Sequence, residues 1–297
     1  MKRMKKMKKN NGGGNMREDF AVFILSHGRA GRIRTIDKLI ECGYTGKYYV
    51  VIDNEDKTAD EYYKLYGDKV LMFDKFAVSK TFDTFDTFKD RRTIVYARNV
   101  CFDLAEKLGI AYFLELDDDY TSFLYRRIVD NQFMSRNCKQ LDHIFELMIE
   151  FLEDTKALTV AFAQGGDFIG GAESGTYAKK VLRKAMNTFF CKTSNRFQFV
   201  GRINEDVNTY CSLGSKGELL FTITDFMINQ VQTQQNAGGM TSVYLDSGTY
   251  VKSFYSVMVC PSFVTINRIV TSSSNRIHHH IRWDNGVPKI INQKWKK

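Results

Sequence analysis

The sequence predicts an α/β fold built on a mixed, mainly parallel sheet flanked by helices, and three observations carry that expectation. Short apolar runs alternate with helix-period amphipathic stretches from residue 20 to residue 117. The helical stretches close at glycines, Gly43, Gly67 and Gly109. Polar residues gather just after the strand-like runs, where parallel sheets bind their ligands.

In order, residues 20–25 (FAVFIL) read as a strand and 32–42 as an amphipathic helix. Residues 48–53 (YYVVID) form a second strand, 58–66 a helix and 70–73 a third strand. The stretch KTFDTFDTFKDRR is too short for a repeat architecture and reads as a loop that packs its phenylalanines. A longer helix is expected over 93–108, with Ile94, Val95, Ala97, Cys101, Leu104, Ala105 and Leu108 near helical spacing. The strand at 112–116 follows, and right-handed crossovers make these strands parallel. Beyond it the alternation decays. A strand is expected over 122–129, a helix over 141–155 and a strand over 158–163, followed by mixed sheet and loops where an acceptor would bind. The glycine-rich loop over 165–175 lacks the spacing and position of a dinucleotide fingerprint and reads as a mobile loop.

At 297 residues with two prolines and no Ser- or Pro-rich linker, the chain is expected to form one domain over 18–292. Within it, 18–120 would be the nucleotide-sugar half and 121–292 the acceptor half. Net charge is +9, and the opening MKRMKKMKK contributes six cations and no acid. That arm, residues 1–17 with the glycine hinge NNGGGN, suits any polyanion or is a solubilising tail. The closing basic segment, 293–297, carries Trp295, an aromatic suited to stacking or membrane contact, though not diagnostic of either. The six cysteines form no CxxC pair, so a reducing cytoplasm is the expected home. No signal-type stretch or membrane-length run is seen, and oligomeric state is not legible.

Four polar groupings stand out. Asp117, Asp118 and Asp119 crowd the tip of an apolar strand, an arrangement that a divalent cation relieves. Strand alternation puts Asp117 and Asp119 on one face as the direct ligands. A helix cap or exposed turn is the plainer account. In RINEDVN, Asp206 or Glu205 opens a helix expected over 207–213 and can accept a proton, or serves only as an N-cap. His278, His279 and His280 share one strand-like stretch, His279 facing one way and its neighbours the other, as possible metal ligands or as a surface strand. Arg98 and Asn99, in the long helix, are placed to neutralise phosphate and to hydrogen-bond a base or ribose, or lie on a solvated face.

This succession resembles the GT-A nucleotide-diphosphosugar glycosyltransferases. With YARNVCFDLAEKLGI, LELDDDY and RINEDVN, the late segments FMINQVQTQQNAGGMTSVY, SGTYVKSFYSVMVCPS and IHHHIRWDNGVPKII are similar to the TET/JBP-associated glycosyltransferases of phages and the base J pathway. The match runs from about Phe20 to Ile291, and the basic arm falls outside it.

The resemblance implies a GT-A (Rossmann-like) fold and a hexosyltransferase that uses a UDP-sugar donor, UDP-glucose first among them. The acceptor it implies is the hydroxymethyl group of 5-hydroxymethyluracil or 5-hydroxymethylcytosine in DNA. Ser26, Arg29 and Asp53 would line the uridine pocket with Arg98 and Asn99 beside it, and Asp117 and Asp118 would join the donor site. Asp117 and Asp119, helped by His278 or His279, would hold Mn²⁺ or Mg²⁺ on the diphosphate. Asp206, or Glu205, would deprotonate the acceptor. A phage enzyme would work in the host cytoplasm. A GT-A transferase acting on a glycan, protein or small molecule, and a non-catalytic DNA-binding protein on the same fold, are the competing readings.

Overall fold

The structure, a computed structural model, describes residues 15–87, 91–168, 171–172, 184–231, 241–270, 275–286 and 291–296, with the backbone alone for 241–249. The basic arm up to residue 14 and most of the glycine-rich loop lie outside these. The first half alternates as its sequence predicts: β1 (Phe20–Leu25), α1 (Arg34–Glu41), β2 (Lys47–Asp53), α2 (Ala59–Tyr66), β3 (Val70–Phe73), a short α3 (Lys75–Val78), α4 (Val95–Lys107) and β4 (Tyr112–Asp117). Then come β5 (Tyr120–Val129), β6 (Gln132–Asn137), α5 (Leu141–Thr155), β7 (Thr159–Ala163), β8 (Phe189–Lys192), α6 (Glu205–Gly214) and β9 (Leu220–Gln230). The chain ends with α7 (Thr241–Val259), β10 (Val264–Val270), β11 (Asn275–Ile281) and the single turn α8 (Trp283–Gly286).

One nine-stranded sheet runs in the order β3-β2-β1-β4-β8-β7-β9-β5-β6. Pairing is parallel from β3 through β4 and between β7 and β9, and antiparallel on both sides of β8 and of β5. Register decides where the polar ends meet. Leu25 aligns with Val51 and with Asp117, so the residues after β1, β2 and β4 emerge at the same edge.

Alternation explains the two cores. Phe20, Val22 and Ile24 pack on one face of the sheet and Ala21, Phe23 and Leu25 on the other, all buried, as expected of a central parallel strand. Against the first face lies α5, whose stripe Leu141, Ile144, Phe145, Met148, Ile149 and Leu152 repeats at helical spacing and is buried. Against the second lies α4 through Val95, Val100, Cys101, Leu104 and Ala105.

The loop over 80–92 packs only in part as expected. Phe82 reaches the Tyr96 ring at 5.3 Å, whereas Phe85 stays 39% exposed. Asp86 of this loop has the larger role, since it pairs with the buried Arg202 at 2.8 Å.

The second half departs furthest from its sequence reading. A two-residue left-handed turn at Asp130 and Asn131, with φ of 51° and 60°, makes β5 and β6 a hairpin. The 19-residue α7 occupies sequence read as mixed sheet and loop. β10 and β11 form a separate two-stranded sheet. With α6 and α7, this ribbon encloses a small core of Val207, Tyr210, Cys211, Cys260, Phe263, Val264 and Ile281.

The basic tail also differs from expectation, because its aromatic is docked against the fold. Trp295 Nε1 donates to Glu218 Oε2 at 3.2 Å, Lys294 pairs with Glu218 at 2.7 Å, and the Asn292 amide donates to the Gly217 carbonyl at 3.2 Å. Gly217 permits that contact. Its φ is +86°, and a Cβ there would stand 2.6 Å from the Asn292 nitrogen. Gly217→Ala should therefore lower stability by about 1–3 kcal/mol, read as a reduced melting temperature. Gly67→Ala, at φ +57° in open space, should cost less.

Candidate active site

The loops after β1 and β2 are tied to each other and to the aspartate turn. Asp118 is buried and accepts from Ser26 Oγ at 2.6 Å and Arg29 Nη1 at 2.9 Å. The Tyr62 hydroxyl lies 2.8 Å from Ser26 Oγ and accepts from the Arg29 amide at 2.9 Å. Asp53 meets His27 Nδ1 at 2.7 Å and the buried Lys75 ammonium at 3.2 Å. Burial alone would raise the Asp53 pKa, but His27 and Lys75 outweigh it and hold the group below the usual carboxylate range. Asp56 accepts the Gly28 amide at 2.7 Å. Arg29 Nε is buried with no hydrogen-bond partner among the described residues.

The centre of the site is Arg98. It projects from α4, is 1% exposed, and donates to three carboxylates. Nε reaches Glu205 at 3.1 Å, Nη1 reaches Glu115 at 3.5 Å and Nη2 reaches Asp117 at 3.1 Å, while the guanidinium stands 4.8 Å from the Phe189 ring centre. One cation does not neutralise three acids. Burial, with repulsion from Asp117, pushes Glu115 up to about 8 even though Arg98 opposes it, and its Oε1 has no hydrogen-bond partner among the described residues. Burial, with repulsion from Asp119, Glu205 and Asp118, pushes Asp117 up to about 7 against the pull of Arg98. Thr35 fixes the turn, its hydroxyl donating to the Asp117 carbonyl at 2.6 Å and accepting the Tyr120 amide at 3.1 Å.

α6 starts at Glu205, earlier than its sequence reading, so Asp206 sits in the first turn. Asn204 before it is left-handed, at φ 55°, and its side chain donates to the Lys252 carbonyl at 2.5 Å and to Ser256 Oγ at 3.1 Å. These bonds fasten the start of α6 to α7, and Ser253 Oγ fastens α7 to the Ile277 carbonyl of β11 at 3.1 Å. The approach to α6 is held as well, since Gly201 and Arg202 donate their amides to the carbonyls of Asp83 and Thr84 at 2.9 and 3.0 Å. Burial and the neighbouring Glu205 carboxylate push Asp206 up to about 6, although Arg98 and Lys252 partly offset this. Burial lowers Lys252 from the usual lysine range, while Asp206 and Glu205 partly restore it.

Several expected roles change. Arg98 faces carboxylates instead of phosphate, its guanidinium nitrogens meeting Glu205, Glu115 and Asp117. The Asn99 amide is fully engaged with the Phe199 backbone, donating to its carbonyl at 3.0 Å and accepting its amide at 2.8 Å, which displaces the expected base or ribose contact. The β11 register is regular through His278, His279 and His280, yet the His278 and His279 rings lie only 4.0 Å apart. His280 is exposed. Burial, with the cations Arg276 and Lys252, pushes His278 down to about 4, and the same groups with His278 push His279 to about 3. No carboxylate acts on either ring, and among the described residues no three His, Cys, Asp or Glu side chains converge as a metal cage. The ribbon places these histidines beside α7, so the expected third ligand is not brought to Asp117 and Asp119.

Sequence reasoning missed Tyr62, Lys75, Glu115 and Lys252. Glu115 had a signal, because a carboxylate inside the strand FLEL must be paired or protonated. A lysine within the apolar stretch of α7 is the same signal in weaker form.

A cavity of about 310 Å³ lined by Arg17, Lys47, Tyr48 and Lys69 opens at the opposite, amino end of β1 and β2, away from this chemistry.

Carboxylates crowd the carboxyl edge of the parallel strands, beside loops rich in hydrogen-bond donors. The sequence profile of the TET-Associated Glycosyltransferase family matches residues 20–239, most of the chain, and the chain belongs to that family. It is a glycosyltransferase. No curated protein aligns significantly with it. Among solved structures it is similar to a protein assigned as a UDP-N-acetylglucosamine pyrophosphorylase from Entamoeba histolytica, at 12% identity and a TM-score of 0.31, over 88% of this chain and 69% of that one. A likeness that slight carries no inference.

Arg98→Leu should cost about 3–5 kcal/mol in urea unfolding, because it strands buried carboxylates. Glu115→Gln should be tolerated at neutral pH, where the native carboxyl is largely protonated. The folded pKa of Glu115 is raised, so its contribution is fully present below the ordinary carboxylate pKa and is lost as pH rises towards about 8. Stability should fall across that window, and less steeply in Glu115→Gln.

Proposed function

We propose that this glycosyltransferase moves a sugar, glucose in the first instance, from a UDP-sugar to the hydroxymethyl group of 5-hydroxymethyluracil or 5-hydroxymethylcytosine in DNA. The observation that carries this reading is Asp206. It is a carboxylate whose pKa of about 6 suits a base near neutral pH, in the first turn of α6 and next to the Glu205–Arg98–Asp117 cluster. The family's association with TET-type hydroxylation supports the acceptor, and the basic arm agrees with a polyanionic one.

In this reading the loops holding Ser26, Arg29 and Asp53 take the nucleotide, and Arg29 Nε offers the unsatisfied donor. Asp118 joins those loops to the turn and acts through them. Asp117 and Asp119, close enough that the charge of one raises the other, would hold Mn²⁺ or Mg²⁺. When bound, the metal supplies charge stabilisation to the leaving diphosphate. Asp206 takes the acceptor hydroxyl proton, the freed oxygen bonds to the anomeric carbon, and the bond from that carbon to UDP breaks with inversion. Glu205 is held by Arg98, which leaves Asp206 as the base. The target base leaves the stack to reach it.

Asp206→Asn should keep donor binding, measured calorimetrically, and lose at least about 100-fold in turnover, the scale of a general base. Asp119→Ala should abolish transfer with the fold intact by circular dichroism. Mass spectrometry of nucleosides from hydroxymethylated DNA after reaction with a panel of nucleotide sugars tests donor and acceptor together. Transfer to free glycans but not DNA would favour the competing acceptor.

A further inference from the structure

We infer that the exposed face of the β5–β6 hairpin is the track for the DNA strand flanking the target base, an inference that rests on the acceptor reading above. β5 begins at Tyr120, directly after Asp119, so the hairpin springs from the candidate active site itself. Alternation puts Tyr125, Arg127 and Val129 on one face. Their cross-strand partners are Arg136, Met134 and Gln132, on the same face of β6. All six are exposed, Tyr125 at 38% and Met134 at 46% despite their size. No carboxylate stands among them, and neither Arg127 nor Arg136 has an ion-pair partner among the described residues.

The opposite face behaves differently. There the Arg126 guanidinium lies 4.6 and 4.2 Å from the Phe133 and Phe168 ring centres, and those two rings meet edge-to-face at 5.1 Å, which braces the hairpin. Tyr125 is braced on one side by the Phe226 ring at 5.3 Å and leaves its remainder to solvent. Two cations directly beside an aromatic ring form the elementary unit of single-strand recognition, with phosphates on the arginines and a base on the ring. Edge protection accounts for charge on β6, the last strand of the sheet. Arg127 pairs with Met134 of β6 alone, so edge protection covers it too, but it does not account for the exposed ring of Tyr125, which is paired with Phe226 on one side and Arg136 on the other. Tyr125 lies five residues along β5 from Tyr120, roughly 17 Å, the length of about five nucleotide steps in one strand of duplex. Contact at that distance is with flanking DNA, not with the reacting nucleotide.

The test is fluorescence anisotropy on a labelled hydroxymethylated oligonucleotide, single-stranded and duplex, across a salt series. UDP binding serves as the control for folding, since none of these residues belongs to the catalytic or donor machinery. Arg127→Gln with Arg136→Gln should weaken DNA binding and reduce the log–log salt slope by about two. Tyr125→Ala should weaken the single strand by about tenfold at every salt concentration. Unchanged DNA affinity in both variants would overturn the inference while leaving the acceptor reading intact. A native protein that binds no DNA would overturn both. If the variants alter only the mass measured by light scattering, the face is a contact between copies of the chain, and the inference fails.

Discussion

Arg98 holds the two halves of the molecule in one electrostatic arrangement. Its guanidinium, lodged in the second core against Phe189, reaches Glu115 and Asp117 of β4 and Glu205 of α6. β4 belongs to the parallel half and α6 to the later, mixed half, so this single side chain joins them. A cation buried this deeply is stable only with its acids, and the acids are tolerable only with the cation. Burial first, and then repulsion from neighbouring carboxylates, shifts Glu115, Asp117 and Asp206 upward against the pull of Arg98.

Those shifts are also what makes the site useful. Carboxylates kept at raised pKa values beside one another accept protons near neutral pH. The loops after β1 and β2 are built on the opposite principle. There Asp53, Asp56 and Asp118 are each satisfied by cations, hydroxyls or amides.

How much of this was legible depended on whether the relevant interaction was local. The strands at 20–25 and 70–73 and the helix at 141–155 were readable because periodicity and glycine stops reflect the backbone and one buried face. Helix α7 was not, because its sequence mixes β-branched, aromatic and small residues, and its burial comes from β11 and α6. The split of His278 and His279 from the aspartates was equally invisible, since nothing local says that β10 and β11 form their own sheet.

The sequence by itself determined the class of fold, the carboxylates at the tip of β4 and the Glu-Asp pair that opens α6, because residue type and period encode burial and charge directly. Only the tertiary structure decided which partner each charge takes. It turned Arg98 inward, closed Asn99 onto the Phe199 backbone, spent Asp118 on Ser26 and Arg29, and left the Arg127–Tyr125 face open. Partner choice depends on register and on which segments distant in sequence pack together, and both are set by the whole core.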